Sequence, residues 1–180
     1  MFPIVKKRQL AENIYLFDVL AKRVASKCLP GEFVIVKQNE QGERIPLTVC
    51  DYDREAGTVT IVIQVIGGST RLIADELNEG DEFMDFVGPL GNPSDLISED
   101  IEELKKKKIL FVAGGLGTAP VYPQVKWLHE RGIKADVVQG AKSKDFVILE
   151  DELKSVSDNL YVCTDDGSYG FKGLVTDKIK

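Results

Sequence analysis

The residues best suited to chemistry form a glycine run, Gly114-Gly115-Leu116-Gly117-Thr118-Ala119-Pro120, directly after the apolar stretch Ile109–Ala113. A strand feeding a glycine turn that opens a helix lets backbone approach a pyrophosphate closely, and the first amides of the helix attract its charge. The spacing Gly-x-Gly-x-x-Gly is nearly met at 115, 117 and 120, but position 120 is proline, which the first turn of a helix tolerates. The plain alternative is a tight β–α turn without ligand. A second group, Cys163-Thr164-Asp165-Asp166-Gly167-Ser168, follows another short apolar run. On a parallel sheet it shares the carboxyl edge with the glycine turn, and open α/β sheets bind ligands along that edge. Asp165 or Asp166 could hold ribose hydroxyls or cap the next helix. A third group lies earlier, in Arg44-Ile45-Pro46-Leu47-Thr48 and in Gly67-Gly68-Ser69-Thr70-Arg71. An arginine can grip phosphate bidentately, and a hydroxyl such as that of Thr48 can donate to a ring nitrogen. A Gly-Gly-Ser-Thr helix start is an anion seat. Each is an ordinary turn feature alone; together they describe a dinucleotide lying across the edge of a barrel.

These groups need two kinds of scaffold. In the first half, Ile14–Val19, Phe33–Lys37, Thr58–Val65 and Glu82–Val87 are short, rich in β-branched and aromatic residues, and bounded by Pro30-Gly31, Gln41-Gly42, Glu55-Ala56-Gly57 and Asn78–Asp81. Thr58, Thr60, Val62 and Gln64 alternate with Val59, Ile61, Ile63 and Val65, a period of two with one strongly apolar side. Arg44–Thr48 starts a further strand. Five or six such strands predict an antiparallel sheet closed into a small barrel. One short helix interrupts them, capped by Ser69 or Thr70, with Leu72, Ile73 and Leu77 as its apolar face. The segment Asn92–Lys108 reads as a linker with a helical turn or more, and its lysines 105–108 as a solvated face, with a phosphate or partner patch as the alternative. From Lys108 the period changes. Ile109–Ala113 predicts a parallel strand buried on both sides. Val121, Val125 and Leu128 predict a helix stopped at Gly132, Ala135–Gln139 and Leu160–Thr164 two more strands, and Ile148, Leu149, Leu153 and Val156 a helix between them. The expected domains are 1–98 and 99–180. Three parallel strands and a helix just begun at Leu174–Ile179 suggest a truncated nucleotide-binding domain, with Leu174, Val175 and Ile179 as an uncovered apolar stripe.

Composition narrows the function. The 180 residues carry 43% apolar and 29% charged residues, which is globular. The longest apolar stretch, Ile109–Ala113, is far short of the roughly 20 residues of a membrane span. A net charge of −6 argues against nucleic acid as the main partner. The three cysteines, Cys28, Cys50 and Cys163, are widely spaced and encode neither a zinc site nor a disulfide framework, which suits the cytoplasm. The single histidine, His129, reads as a surface residue, and no metal site is expected. A P-loop phosphotransferase needs a Gly-Lys-Ser/Thr that the glycine turn lacks.

In this order — barrel, Arg-x-Pro-x-Thr, Gly-Gly-Ser-Thr, Gly88-Pro89-Leu90-Gly91, the glycine turn, then Thr-Asp-Asp-Gly-Ser — the chain resembles the ferredoxin–NADP⁺ reductase superfamily along essentially its whole length. Within it, the chain is most similar to the electron-transfer subunits of dihydroorotate dehydrogenase B, and similar also to the small subunit of NADH-dependent reduced ferredoxin:NADP⁺ oxidoreductase. Residues 165–173, Asp-Asp-Gly-Ser-Tyr-Gly-Phe-Lys-Gly, are the piece most specific to that group. The resemblance implies FAD on the barrel and NAD(P)H on the second domain. It places Arg44, Pro46, Leu47 and Thr48 along the FAD, with Thr48 as the catalytic residue near the reactive flavin nitrogen. It places Gly68, Ser69 and Thr70 on the FAD pyrophosphate, with Val65 and Gly67 beside them. Gly114, Gly115, Gly117, Thr118 and Pro120 would hold the nicotinamide nucleotide, bordered by Asp165 and Asp166. Relatives place arginine three residues before the hydroxyl residue, where this chain has Ile45; Arg44 is one residue earlier. Relatives also carry a C-terminal cysteine cluster for a [2Fe–2S] centre, which these cysteines cannot supply. The expected function is hydride transfer from NAD(P)H to FAD, then electron delivery through an iron–sulfur centre of a longer chain to a second, catalytic subunit. The rival is a flavin-binding or docking module without catalysis. Lys142, Ser143 and Lys144 could accept a 2′-phosphate or form a solvated loop, so the choice between NADH and NADPH stays open.

Overall fold

The computed structural model describes residues 1–179. The first unit, Met1–Ser94, is built from β1 (Phe2–Ala11), β2 (Ile14–Leu20), α1 (Lys22–Ala25), β3 (Phe33–Lys37), β4 (Ile45–Asp53), β5 (Thr58–Gln64), α2 (Gly68–Glu76), β6 (Glu82–Phe83) and β7 (Asp85–Leu90). Its strands form one antiparallel sheet in the order β6-β1-β2-β5-β4-β3-β7. Only Met84 separates the two edge strands, so the sheet curls into a barrel. Period-two alternation builds its core. Val59, Ile61 and Ile63 point inward with Phe17, Phe83 and Phe86, while Thr60 points outward and donates to Asp18 on its register partner at 2.6 Å. Phe17 and Phe83 meet edge to face at 6.1 Å between ring centroids, and truncating one such buried ring costs about 3–5 kcal/mol.

Three features of this unit depart from the sequence expectation. The first ten-residue strand, β1, was not anticipated: Lys6, Lys7 and Arg8 break up its apolar alternation, and only Ile4 and Ala11 are buried. The single strand expected over Glu82–Val87 is two, because Met84 turns its amide to the carbonyls of Lys37 and Gln38. Helix α2 starts at Gly68, one residue before Ser69, and neither Ser69 nor Thr70 is its cap. Thr70 Oγ1 instead reaches back and accepts the amides of Ile66 and Gly67, both at 3.1 Å. Ile73 and Leu77 are buried as expected, but Leu72 is exposed.

The second unit, Asp95–Lys180, opens with a 3₁₀ turn and α3 (Ile101–Lys106), followed by β8 (Ile109–Gly114), α4 (Thr118–His129), β9 (Ala135–Ala141), α5 (Glu150–Val156), β10 (Asn159–Thr164), β11 (Phe171–Lys172) and α6 (Val175–Ile179). Asp100 caps α3, accepting the amides of Glu102 and Glu103. The lysines that follow pair with acids of the same segment: Lys105 with Glu102, Lys106 with Glu103, and Lys107 with Glu99. The sheet is parallel with order β11-β10-β9-β8. It has four strands where three were expected; β11 is two residues long and too short to show in the pattern. β8 was expected to be buried on both faces. It is an edge strand instead, with Leu110 46% and Val112 44% exposed. One face of the sheet is covered by α4 and α5, whose Val125, Leu128 and Leu153 are fully buried. The other carries only α6, whose Val175 sits on Gly140 so closely that a Cβ there would meet it at 2.5 Å. Of the stripe Leu174, Val175 and Ile179, only Val175 is thereby covered; Leu174 and Ile179 remain exposed.

Candidate functional site

The glycine turn lies where β8 gives way to α4. Gly115 takes φ +51°, a left-handed conformation that side chains rarely adopt, whereas Gly117 has an ordinary φ of −60°. A Cβ built on Gly114, Gly115 or Gly117 would meet no heavy atom within 4 Å. Among the described residues no side chain caps the start of α4; the Thr118 amide turns back to the carbonyls of Gly115 and Leu116, and the space beside the glycines is open. That is the environment a phosphate needs. Behind the glycines the helix is anchored: Thr118 and Ala119 are buried and Pro120 half-buried. The Thr118 hydroxyl is turned inward, where it accepts Gln139 Nε2 at 3.4 Å, so a ligand in the turn meets the glycine backbone before it meets Thr118.

Asp165 and Asp166 stand at the same carboxyl edge, after β10. Their amides bond the carbonyls of Ala141 and Lys142 at 3.0 and 3.3 Å, which ties this loop to the one after β9. Both side chains are exposed. Asp166 accepts the hydroxyl and amide of Ser168 at 2.7 and 2.9 Å, and these bonds hold its carboxyl below the usual range. The Ser168 hydroxyl accepts the Lys144 amide at 2.9 Å. Tyr169 locks the pair of loops from the other side. Its hydroxyl donates to Glu150 at 2.8 Å, its amide donates to the buried Thr164 hydroxyl, and Lys144 lies over its ring. Burial pushes the Glu150 carboxyl up, but bonds from Lys154 and Tyr169 outweigh that and hold it below the ordinary carboxylate value. Gln139, Glu150 and Tyr169 were not among the expected site residues. The one signal in the sequence was a lone amide, Gln139, inside the otherwise apolar run of β9.

In the barrel, β4 changes partners. Residues 45–48 pair with β3, and pairing with β5 begins only at Val49. The edge of residues 45–48 that faces away from β3 therefore has no strand partner among the described residues. Pro46 and Thr48 are exposed there and Leu47 is half-buried. Arg44 is committed to Asp85 at 2.6 Å, so it reaches a phosphate only by exchanging that partner. Val65 and Gly67 sit between β5 and α2, and a Cβ on Gly67 or Gly68 would meet nothing within 4 Å. Ser69 donates to the Glu43 carboxylate. Beside it opens a cleft of about 240 Å³ walled by Gln41, Glu43, Ile45, Ser69 and Leu72. The unit thus brings Pro46, Leu47 and Thr48 onto one open strand edge and Gly67–Thr70 onto one helix start. These open glycine seats fit a dinucleotide in each unit.

The cysteines do not fit an iron–sulfur cluster. All three are buried, and among the described residues no group of three or more His, Cys, Asp or Glu side chains converges. Burial, with Glu32 adding and Arg54 opposing, pushes the Cys28 thiol up to about 12, and burial also raises Cys163. Neither is poised as a nucleophile.

Known proteins share this arrangement. No family model matches the chain. The dihydroorotate dehydrogenase B (NAD(+)) electron transfer subunit of Geobacillus kaustophilus is 34% identical over 180 residues, covering 98% of this chain and 67% of its own. The chain belongs to the family of dihydroorotate dehydrogenase B electron transfer subunits. A homolog of that subunit from Thermotoga maritima is 44% identical over 97% of this chain and 58% of its own length. Among solved structures, the NADH-dependent reduced ferredoxin-NADP oxidoreductase, described for flavin-based electron bifurcation, superposes with a TM-score of 0.86 at 41% identity, over 99% of this chain and 62% of that one. The chain thus spans about 60% of the length of these last two proteins. Like these proteins it has a ferredoxin reductase-like fold, with an antiparallel barrel unit and a parallel-sheet unit. Among the described residues no helix is long and apolar enough to cross a membrane.

Proposed function

We propose that the chain is a flavoprotein module that takes a hydride from NAD(P)H and passes electrons to a partner subunit. The observation that carries this reading is the pair of glycine-started helices, α2 and α4. Each is preceded by glycine, and a Cβ on Gly67, Gly68 or Gly117 would meet no heavy atom within 4 Å. Bound FAD would supply the chemistry, accepting a hydride and releasing electrons one at a time. The protein's part is to bind and orient. Gly67, Gly68 and Ser69 present amides to a pyrophosphate, and Thr70 fixes the preceding loop at Val65–Gly67. Pro46, Leu47 and Thr48 offer an open strand edge to the flavin ring, with the Thr48 hydroxyl as donor to a ring nitrogen. Gly114, Gly115 and Gly117 receive the nicotinamide nucleotide, Thr118 and Pro120 brace them from behind, and Asp165 and Asp166 border the ribose. No side chain is needed as acid or base. The buried cysteines of this chain do not supply a [2Fe–2S] centre, and the final acceptor belongs to the partner. The test is the visible spectrum of the purified protein: flavin absorbance that bleaches on adding NADH or NADPH supports the reading, and a flavin that neither bleaches overturns it. A docking module is the second reading, favoured by the exposed Leu110, Val112, Tyr161 and Phe171 of the parallel sheet; a colourless protein that still captures a partner subunit would select it.

A further inference from the structure

The proposed nucleotide site leaves one buried polar group unused. Gln139 ends the apolar run of β9, beside Ala113 in register, just before the glycine turn. It is 1% exposed and ranks among the largest fully buried side chains, in a strand whose other buried residues, Ala135, Val137, Val138 and Ala141, are aliphatic. Its Nε2 donates to the Ile148 carbonyl at 2.6 Å and to Thr118 Oγ1 at 3.4 Å. Its Oε1 is buried with no hydrogen-bond partner among the described residues. The orientation is not interchangeable, because exchanging the amide oxygen and nitrogen would set two acceptors against each other at Ile148. The next residue, Leu149, takes φ +56°, a left-handed conformation that a branched side chain keeps only where its surroundings hold it.

An apolar residue of the same length would remove the unpaired Oε1 but would leave the buried Ile148 carbonyl without its donor, so the exchange carries a gain and a cost of the same kind. Stability therefore does not explain the glutamine. Its two donations do: one reaches the first residue of α4, the other the loop that leads into α5. These are the segments that follow β8 and β9 at the carboxyl edge. We propose that Gln139 is a positioning residue that holds the start of α4 and the 147–149 loop in fixed relation, so that the glycine turn is set before a nucleotide arrives. The inference rests on the reading of that turn as the nucleotide seat, but the positioning itself can be measured without any nucleotide.

The experiment compares the full chain with Gln139→Met, which keeps length and loses both donors, and with Thr118→Val and the double variant. In Gln139→Met, the amides of 115–119 and 147–150 exchange with solvent at least fivefold faster, the melting temperature falls by no more than about 5 °C, and KM for NADH rises several-fold while the saturating rate of flavin reduction holds. Thr118→Val gives the same change at 115–119, and the double variant adds little to it, as expected of two groups acting through one contact. Unchanged exchange in Gln139→Met overturns the proposal. So does an insoluble or strongly destabilised Gln139→Met, since a side chain kept for position is replaceable without loss of fold. Additive effects in the double variant overturn the route through Thr118. If the wild-type flavin does not respond to NADH or NADPH, the reading of the turn fails, and the exchange rates alone still decide the role of Gln139.

Discussion

Two helices in this molecule begin on glycine, and they are prepared in opposite ways. The start of α2 is dressed with side chains: Thr70 folds back onto the amides of Ile66 and Gly67, and Ser69 is taken by Glu43. The start of α4 is bare backbone, and its support lies underneath, in buried Thr118, Ala119 and Gln139. The first seat is set by its own hydroxyls and is exposed on both sides. The second is set from the core. A seat of the first kind suits a cofactor that stays bound, because its own side chains hold the loop in place around it. A seat of the second kind suits a ligand that comes and goes, because nothing has to be displaced at each arrival.

The sharpest way to break this comparison is Gly117→Val. With φ of −60° and open space around it, valine is accommodated without backbone strain, so the chain folds and keeps its flavin. The added methyls occupy the phosphate's place. Loss of about two hydrogen bonds to a charged group corresponds to roughly a hundredfold weaker nucleotide binding, read by titrating flavin bleaching. A variant that sheds FAD and still responds to nucleotide would reverse the division of labour between the two seats.

Thr70→Val addresses the other seat. It removes the acceptor of two amides, a change comparable to losing a helix cap at about 1 kcal/mol. FAD retention falls about fivefold in equilibrium dialysis, and nucleotide affinity of the remaining holoprotein does not move. Equal losses in both affinities would mean that the seats are not independent.

Thr48→Ala separates binding from chemistry within the barrel. One hydrogen bond of about 1 kcal/mol is at stake, so stopped-flow flavin reduction slows about fivefold while FAD affinity changes less. Reduction at the wild-type rate would remove Thr48 from the flavin edge.

The smallest effect concerns pH. Glu150 is held below its ordinary value of 4.5 by Lys154 and Tyr169, despite partial burial. A lowered carboxyl stabilises the fold above its unfolded pKa, and that contribution is lost as pH falls through the folded one. Between about pH 5 and pH 3, Glu150→Gln therefore loses less stability than the wild type. Acid unfolding followed by tryptophan fluorescence at Trp127, the only tryptophan, reports this in the second unit. Identical acid profiles would show that the Tyr169–Glu150 tie adds nothing.

Much of this was legible before the structure, because glycine runs and period-two alternation are local signals. The glycine turn, the Gly-Gly-Ser-Thr helix start and the strands at Phe33–Lys37 and Thr58–Gln64 are written in consecutive residues. What stayed hidden is what depends on distant partners. β1 is a strand because of its register with β2 and not because of its own pattern. An apolar run such as β8 predicts burial on both faces, but it does not say whether a helix covers the second one, and here only α6 lies there. Glu150 and Tyr169 meet across 19 positions of sequence. Gln139 is the intermediate case: a polar residue in an apolar strand announces that something is there, but only the fold shows that it reaches Thr118 and Ile148.

The closure of the barrel at Met84 also bears on how the chain is made. Phe2 and Pro3 pair with Phe83 and Glu82, so the first strand waits for nearly the last segment of its unit. During synthesis, which runs from the N-terminus at about 5–20 residues per second, the β1–β2 hairpin emerges with an open edge and stays unfinished for several seconds. Non-local pairing of this kind folds slowly. The charges at Lys6, Lys7 and Arg8, which obscure β1 as a strand, then serve the nascent chain, since lysine and arginine on an unpaired edge discourage neighbouring chains from adding to it.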